Sequence, residues 1–302
     1  MIDLLPSWRP GPTRDAIEAF LAASRDLPVA QRVAVLDNDG TLWCEKPGYV
    51  QYDFLVAQLH DAVAADPARA DRPEYRALLN DDKTALGELG LQRVAMALLE
   101  LCAGLTPEEF TDRVHRFMAT ATHPRGVRYP KLVYQPMREL LGALRAHEFS
   151  VFVVTGGGTE FVRAVSAQLY GVAPDDVVGT LVEYHYAEHD GHPALERTAE
   201  AYGEVNEGPA KVEHIQTQLG RRPVFAAGNS GGDRQMLEYA AAAGPPSLAL
   251  LLDHDDAERE YAYTSKAVSF AEDEPITDVA RREGWTVVSM RADWTQIFAP
   301  DR

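Results

Sequence analysis

The sequence predicts an α/β fold: a parallel sheet with helices on both faces, and a smaller helical domain inserted after the first strand. Three observations predict this arrangement. Short apolar runs alternate with helical patterns, as strands and crossover helices do in parallel sheets. Each run ends directly in a polar or glycine-rich turn. The chain between the first two runs is far longer than one crossover helix requires.

The apolar runs do not alternate with polar residues, so we expect strands that are buried on both faces of the sheet. The runs are Val33–Leu36, Val151–Val154, Val224–Ala227 and Leu248–Leu252. Helical patterns flank them at Met137–His147, Glu160–Leu169, Ala210–Leu219 and Arg234–Ala243. In open parallel sheets, ligands bind where the strands end, so we expect the four turns to meet at one edge.

The inserted stretch shows helical patterns along most of its length. They cover Tyr49–Ala65, Glu74–Leu79, Leu91–Ala103 and Pro107–Thr120. Thr106 and Glu109 have the spacing of a capping box at the start of the last of these helices. We therefore expect two domains: an α/β core of residues 1–42 and 130–302, and a helical cap of residues 43–129 over the active edge.

Two further segments carry local predictions. The first twelve residues include three prolines and are expected to form a surface tail or a mobile one. The polar stretch Val177–Gly208 contains Asp190-Gly191, a pair typical of a hairpin turn. The histidines around that pair are expected to lie in a loop.

Composition restricts the function. The 302 residues are 46% hydrophobic and 25% charged, which is typical of a globular protein with a sizeable core. Asp and Glu number 46 against 29 Lys and Arg, which gives a formal net charge of −17. A field of that sign repels nucleic acid and anionic membrane surfaces, and no basic run offsets it. We expect neither as a partner.

Cysteine content and hydropathy set further limits. Two cysteines, Cys44 and Cys102, do not make a disulfide framework, and the chain has no CxxC pair of the kind that binds zinc. The N-terminal sequence shows no apolar secretory segment, and Gly244, Pro245 and Pro246 interrupt the longest uncharged run. We expect a cytoplasmic protein, and the sequence leaves the oligomeric state open.

The first turn, Asp37-Asn38-Asp39-Gly40-Thr41, holds two carboxylates two residues apart. Such a pair does not ionise fully unless a cation lies between the two groups; otherwise the pKa of one rises. The arrangement suits metal binding, or a nucleophile beside a general acid–base. A plain loop or a calcium loop is the alternative, although Leu42 and Gly48 break the EF-hand pattern.

The second turn, Thr155-Gly156-Gly157-Gly158, follows a predicted strand and opens a predicted helix. Its hydroxyl group and backbone amides suit phosphate oxygens. Phe161 takes the place of the last glycine of GxGxxG, so the turn is not a dinucleotide fingerprint. A tight turn between strand and helix, without a ligand, is the alternative.

Three more polar residues follow in the second half of the chain. Lys211 lies at the start of a predicted helix, and Asn229 and Asp233 flank a glycine-rich turn. An isolated lysine is usually a solvated surface residue, so Lys211 gains meaning only from its companions. Carbonyl and carboxylate oxygens around a small cavity suit Mg²⁺.

Together, these four pieces resemble the haloacid dehalogenase superfamily, on its phosphatase side. The first motif of that superfamily, DxDxT, matches Asp37–Thr41. The second, third and fourth motifs match Thr155, Lys211 and the turn Gly228–Asp233, in the same order. The resemblance implies a Rossmann-like core, and a helical insertion after the first motif is most similar to the phosphoserine phosphatase branch. Asn229 departs from the aspartate that is usual in that branch.

The resemblance implies a role for each residue. Asp37 would be the nucleophile that forms an aspartyl-phosphate, and Asp39 would be the general acid and base. The phosphate would be held by Thr155, Gly156 and Lys211. Mg²⁺ would lie near Asp37, Asp39, Asn229 and Asp233. The implied activity is Mg²⁺-dependent hydrolysis of a small phosphorylated metabolite, such as a phosphoserine-like monoester, or the phosphoryl transfer of a phosphomutase.

Two other classes of function stay open. The turn Gly228-Asn229-Ser230-Gly231-Gly232 satisfies G-x-S-x-G, the nucleophile elbow of a serine hydrolase, with His254 as the one later histidine. A serine hydrolase would leave Asp37 and Lys211 without a role. A non-catalytic domain that binds a metal or a ligand is the third class, and the Asn229 departure favours it.

Two acidic segments are further candidates near the site. Glu45 follows the first motif, about where the phosphoserine phosphatases place a carboxylate for the substrate amine. Asp253-His254-Asp255-Asp256 follows the last apolar run and could orient a substrate. Solvated strand-end charges or helix caps are the alternative for Asp253–Asp256, and the spacing of Glu45 matches that branch only approximately.

Overall fold

The structure is a computed structural model that describes residues 3–266 and 274–300. In this part of the chain, seven strands form one sheet. They are β1 (Val33–Leu36), β2 (Ser150–Gly158), β3 (Val177–His189), β4 (His192–Tyr202), β5 (Phe225–Gly228), β6 (Leu248–Asp253) and β7 (Thr286–Ser289). Their order is β4-β3-β2-β1-β5-β6-β7, and every neighbouring pair is parallel except β3 with β4. The predicted Rossmann-like sheet is confirmed, with β1 at its centre.

Helices cover the sheet and form the insertion. In chain order they are α1 (Pro12–Ala23), α2 (Val50–Ala65), α3 (Pro73–Leu79), α4 (Lys83–Leu89), α5 (Leu91–Glu100), α6 (Pro107–Thr120), α7 (Gln135–Ala146), α8 (Thr159–Tyr170), α9 (Pro209–Leu219), α10 (Arg234–Ala241), α11 (Ile276–Glu283) and α12 (Met290–Asp293). Among the described residues, no helix combines the length and the apolar character that crossing a bilayer requires.

Side chains of β1 alternate between two hydrophobic clusters, one on each face of the sheet. Ala34 and Leu36 lie in the cluster that includes side chains of α1, α7 and α8. Val33 and Val35 lie in the cluster that includes side chains of α9, α10 and α11. Helices therefore cover both faces of the sheet, which explains why its central strands are apolar without interruption.

The insertion between β1 and α7 is helical, as predicted, and contains the additional short helix α4. Leu59 and Tyr75 join α2 to α3 in a small hydrophobic cluster of their own. Phe54 of α2 instead joins the main core, because its ring centre lies 5.6 Å from that of Phe110 and 5.4 Å from that of Phe161. The insertion therefore rests on α8. The boundaries of core and cap stay a prediction.

The polar stretch after α8 is a long hairpin. Asp190 and Gly191 both have positive φ and form its two-residue turn, as predicted. The expectation of a loop around the turn was wrong, because the flanking histidines lie in β3 and β4, which pair as far as Tyr202. Many side chains of β4 face solvent at the edge of the sheet, so its sequence lacks the apolar run that identifies a buried strand.

The hairpin contacts the insertion, and Arg197 is one of the residues that join them. The backbone N–H of Gly104 donates to the Arg197 carbonyl, and the N–H of Arg197 donates to the Leu105 carbonyl, each at 2.8 Å. The buried Arg197 guanidinium lies 3.9 Å from the centre of the Phe110 ring and donates to Glu160 of α8 at 3.0 Å. Arg197 therefore joins the hairpin, α6 and α8.

The N-terminal segment is not the surface tail that its prolines predict. Leu5 and Trp8 are buried. The Trp8 ring packs edge-on against Trp294 with 5.7 Å between ring centres, and its Nε1 donates to the Pro136 carbonyl at 3.0 Å. Proline content predicts backbone shape and carries no information on where the intervening tryptophan packs. Residues 1–2 lie outside the described residues.

We predict that Trp8→Ala lowers the free energy of unfolding by about 3–5 kcal/mol, the usual cost of truncating a buried tryptophan. Guanidinium unfolding followed by circular dichroism measures the change. Val29→Ala, at a position that is 50% exposed, is the control and should cost less than about 0.5 kcal/mol. An unchanged unfolding midpoint for Trp8→Ala would contradict the packing of this segment on the core.

Candidate active site

Five of the predicted residues meet at the carboxyl edge of the central strands. Asp37 follows β1, and Asn229 follows β5, its neighbour in the sheet. The N–H of Asp37 donates to the Ala227 carbonyl at 2.9 Å, which joins the two turns. The five residues are all buried: Asp37, Thr155, Lys211, Asn229 and Asp233. The edge predicted from the strand ends is therefore where these side chains lie.

The ammonium group of Lys211 lies between two carboxylates. Its Nζ is 2.7 Å from Asp37 Oδ1 and 2.6 Å from Asp233 Oδ1, and it also donates to the Val154 carbonyl at 3.1 Å. Burial lowers the pKa of Lys211, but Asp233 and Asp37 outweigh that effect and raise the pKa above its usual value. The lysine is therefore a fixed positive charge, and only 1% of the residue's surface is exposed to solvent.

One ammonium group does not balance the carboxylates around it. Burial and the neighbouring Asp233 raise the pKa of Asp37 well above its ordinary value, against the opposing effect of Lys211. The site therefore favours additional positive charge. Within residues 3–266 and 274–300, however, no group of three or more His, Cys, Asp or Glu side chains has an arrangement that could hold a metal ion.

Asn229 and Asp37 present oxygen atoms to the same point. Thr41 Oγ1 lies 3.3 Å from Asp37 Oδ2 and 3.3 Å from Asn229 Oδ1. The amide nitrogen of Asn229 donates to Glu45 Oε1 and to Ser265 Oγ, each at 3.2 Å. These two acceptors fix the amide so that its oxygen faces Asp37. Glu45, an uncertain candidate in the sequence, is thus a buried partner of Asn229.

Asp233 uses both of its carboxylate oxygens within the protein. Oδ1 accepts the Lys211 bond, and Oδ2 accepts the backbone N–H groups of Asn229 and Ser230, each at 3.0 Å. A Cβ atom at Gly228 would lie 2.5 Å from Asp233 Cβ, so only glycine permits this close packing. Asp233 holds the turn and the lysine together.

Asp39 is held by an indole. Trp43 Nε1 donates to Asp39 Oδ1 at 2.8 Å, and Asn38 is fixed beside it by a 2.9 Å bond from the Tyr170 hydroxyl. Burial raises the pKa of Asp39 to about 6, although the Trp43 bond acts in the opposite direction. A carboxyl group that titrates near neutral pH can donate a proton and later accept one. The bond between Trp43 and Asp39 could not be predicted from the sequence.

The glycine-rich turn is the end of β2, and α8 begins directly after it. Thr155 Oγ1 accepts the N–H of Gly157 at 3.0 Å, and the N–H of Gly158 donates to Gln51 Oε1 of α2 at 2.7 Å. Gly156, whose amide is a predicted phosphate ligand, lies in the chain between Thr155 and Gly157. Gln51 could not be predicted from the sequence, because no local pattern marks a residue of α2 that reaches this turn.

His254 contacts the backbone of the first turn. Its Nε2 lies 2.8 Å from the Gly40 carbonyl, and its Nδ1 lies 3.4 Å from Glu260 Oε2. Glu260 also accepts bonds from Cys44 Sγ at 2.9 Å and from the Tyr134 hydroxyl at 3.0 Å. His254 and Glu260 are buried, so this pair holds the loop in place. Sequence analysis missed Glu260 entirely.

The contacts of Ser230 disfavour the serine hydrolase alternative. Ser230 Oγ donates to Asp233 Oδ2 at 3.3 Å. Both nitrogens of His254 face other groups, the Gly40 carbonyl and Glu260. The described contacts therefore do not join Ser230 and His254 as nucleophile and base.

We predict that Lys211→Met costs about 3–5 kcal/mol of stability at pH 8, because a buried charge cluster loses its one cation. The loss should be smaller at pH 5. Without the ammonium group, burial and the charge of Asp233 act unopposed on Asp37 and raise its folded-state pKa further above the unfolded value, so stability falls as the pH rises. Unfolding curves at both pH values, with exposed Lys83→Met as the control, measure this. An equal loss at both pH values would contradict the repulsion.

Comparison with known proteins supports the fold. A structure of a protein of unknown function from Bordetella pertussis Tohama I is similar, with 20% identity, a TM-score of 0.55, and coverage of 85% of this chain and 98% of that one. A functionally unknown protein from Anaerococcus prevotii DSM 20548 has 14% identity, a TM-score of 0.59, and coverage of 96% and 94%. A probable phosphoserine phosphatase from Vibrio cholerae has 14% identity, a TM-score of 0.44, and coverage of 88% and 63%.

The family comparison reaches further than the structural one. No curated protein matches the chain. The model of the haloacid dehalogenase-like hydrolases matches residues 34–238, a span that contains the four motifs from Asp37 to Asp233. The chain therefore belongs to the haloacid dehalogenase-like hydrolase family.

Proposed function

We propose that the protein is a Mg²⁺-dependent phosphatase that hydrolyses a small phosphate monoester through an aspartyl-phosphate intermediate. One observation carries the proposal: two carboxyl groups two residues apart have different environments. Asp37 is bound to the ammonium group of Lys211, whereas Asp39 is bound to the neutral Trp43 indole and has a pKa near 6. Burial raises the pKa of both groups, but the bonded Lys211 favours the ionised form of Asp37 that a nucleophile needs, whereas Asp39, with no cation bonded to it, can hold the proton that a general acid donates.

The residues present fit Mg²⁺. Asp37 Oδ2 and Asn229 Oδ1 each lie 3.3 Å from Thr41 Oγ1, Lys211 bonds the other carboxylate oxygen of Asp37, and both atoms are the hard oxygens that Mg²⁺ takes. We infer that these two atoms and the Asp39 carbonyl would hold the ion. Asp233, whose oxygens are both engaged, would act through Lys211 and the Asn229 turn. When bound, Mg²⁺ would supply positive charge for the phosphate and for Asp37.

The chemistry then follows from the positions of the side chains. Asp37 attacks phosphorus in line, and the bond to the leaving oxygen breaks as Asp39 gives that oxygen its proton. The ionised Asp39 next takes a proton from water, which attacks the aspartyl-phosphate and regenerates Asp37. Throughout, the Thr155 hydroxyl and the Gly156 amide hold the phosphate oxygens. The Lys211 ammonium group, whose three N–H groups bond Asp37, Asp233 and the Val154 carbonyl, supplies positive charge beside them.

The substrate is proposed to be small because the site is covered. Gln51 of α2, in the insertion, bonds to the second turn, and Asp37, Thr155, Lys211, Asn229 and Asp233 are buried. A phosphoserine-like monoester is the first substrate to test, since buried Glu45 beside Asn229 offers a carboxylate near the site. A phosphomutase would use the same residues, and it differs only in the acceptor of the phosphoryl group.

We predict Mg²⁺-dependent hydrolysis of p-nitrophenyl phosphate that falls to background in Asp37→Asn. The amide of that variant is too weak a nucleophile to displace the phenolate. Ser230→Ala is the matched control, because Ser230 would be the nucleophile of the alternative serine hydrolase. Its rate should stay within about threefold of that of the parent protein, since the Ser230 hydroxyl takes no part in the proposed reaction. Release of p-nitrophenol and of inorganic phosphate are both measured.

Each candidate activity predicts a different experimental result. Equal release of p-nitrophenol and phosphate supports a phosphatase. Release of p-nitrophenol with the phosphate recovered on an added alcohol supports a mutase or transferase. Full activity in Asp37→Asn, or esterase activity lost only in Ser230→Ala, would contradict the proposal.

We predict that Asp39→Asn produces a burst. Nitrophenolate leaves without a proton, so one equivalent forms quickly, whereas hydrolysis of the aspartyl-phosphate lacks its base and slows by roughly 10²–10⁴-fold. With an alkyl phosphate the first step should slow as well, because an alkoxide needs the proton. Rapid-quench kinetics with both substrates measure this, and an equal loss in all steps would contradict the role of Asp39.

A further inference from the structure

Glu207 faces the second turn, and no motif accounts for it. It lies between β4 and α9, four residues before Lys211. Its neighbour Asn206 fixes this segment, because the buried Asn206 amide donates to the carbonyls of Thr155 at 2.8 Å and of Val178 at 3.2 Å. The segment before α9 is therefore bound to the residue that begins the second turn.

The carboxyl group of Glu207 lies directly on Gly156. A Cβ atom at Gly156 would be 1.9 Å from Glu207 Oε1 and 2.9 Å from its Cδ, so any other residue at this position would require the Glu207 side chain to move. This close approach places a carboxyl group against the residue whose amide is proposed to bind phosphate.

One oxygen of Glu207 is unsatisfied. Oε2 is buried and has no hydrogen-bond partner among the described residues. Buried polar atoms are normally bonded, so an exception at a candidate site indicates a partner that arrives with the ligand. A carboxylate oxygen can only accept a bond, whereas the oxygen of a protonated carboxyl group can donate one.

The charges that face Glu207 favour the protonated form. Burial raises the pKa of Glu207 to about 7. Lys211 of α9 acts against this shift, and three carboxylates from other segments add to it. They are Asp233 after β5, and Asp39 and Glu45 after β1.

We propose that Glu207 contacts the bound phosphate: its protonated carboxyl group donates a hydrogen bond from Oε2, and its ionised form repels the anion. The proposal rests on the proposed function only in placing a phosphate at Thr155 and Gly156. No covalent bond to Glu207 forms, and the proton stays on its carboxyl group in the complex. Phosphate affinity should therefore follow the protonated fraction of Glu207.

The size of the effect follows from that fraction. If only the protonated form binds, the apparent Kd is the intrinsic Kd divided by the protonated fraction. With a pKa of about 7, the fraction is about 0.9 at pH 6 and about 0.1 at pH 8. The affinity of the parent protein should thus fall by about tenfold over this range for this reason alone.

Titration calorimetry of inorganic phosphate, with Mg²⁺ present, tests the proposal at pH 6, 7 and 8. At each pH the Kd of the parent protein is divided by that of Glu207→Gln, which cancels the titration of phosphate and of Asp39. We expect a ratio near one at pH 6 that rises to about ten at pH 8. Glu204→Gln, an exposed glutamate of the same segment, should give a ratio near one throughout.

Glu207→Ala is the second variant, in case the glutamine does not fold. It removes the repulsion as well, so the pH dependence of the ratio should be the same. A ratio that stays within twofold from pH 6 to pH 8, or weaker binding in Glu207→Gln at every pH, would overturn the role of Glu207.

Direct binding separates this proposal from the proposed function. The expected ratio without any turnover of p-nitrophenyl phosphate would contradict the phosphatase and support Glu207 as a phosphate contact. Turnover with a flat ratio would do the reverse. Failure of the parent and of every variant to bind phosphate would contradict both.

Discussion

The buried ammonium group of Lys211 is the interaction on which the arrangement of the site depends. It joins the turn after β1, strand β2 and the turn after β5, through Asp37, the Val154 carbonyl and Asp233. Two carboxylates taken out of water this close together are strongly unfavourable without a cation between them. The lysine therefore fixes the spacing of these three segments as well as their charge, and it keeps Asp37 in one position.

Close approach of loops is the second constraint. At Gly40, a Cβ atom would lie 2.0 Å from the Asn229 amide nitrogen; at Gly156 and Gly228, it would meet Glu207 and Asp233. Gly40 also has a positive φ, which favours glycine in its own right. These glycines let three turns from different parts of the chain pack without side chains between them. The site is consequently dense and buried, and its polar groups are arranged before any ligand arrives, which is the basis of electrostatic preorganisation.

The sequence predicted those features that local pattern encodes. Uninterrupted apolar runs located β1, β2, β5 and β6, and parallel strand ends placed Asp37, Thr155 and Asn229 together. The capping box of Thr106 and Glu109 is present as well. The sequence could not predict the positions of four residues, Trp8, Gln51, Glu207 and Glu260, for a common reason. Each owes its position to partners far away in the chain, and no periodicity or turn signal reports such contacts. The hairpin turn at Asp190-Gly191 was predicted, but the strands that flank it were missed, because β4 lies at the edge of the sheet, faces solvent and needs no apolar run.

The two backbone hydrogen bonds between Arg197 and the Gly104–Leu105 segment join the insertion to β4. A cap joined to the core only by its two chain connections would swing about them as a hinge. Here the insertion is also bonded to β4, and the Arg197 side chain contacts both Phe110 and Glu160. In the proposed phosphatase, substrate entry would therefore either move the hairpin together with the insertion or break these two hydrogen bonds, so the rate of ligand exchange would be coupled to the mobility of an edge strand that takes no part in the proposed chemistry.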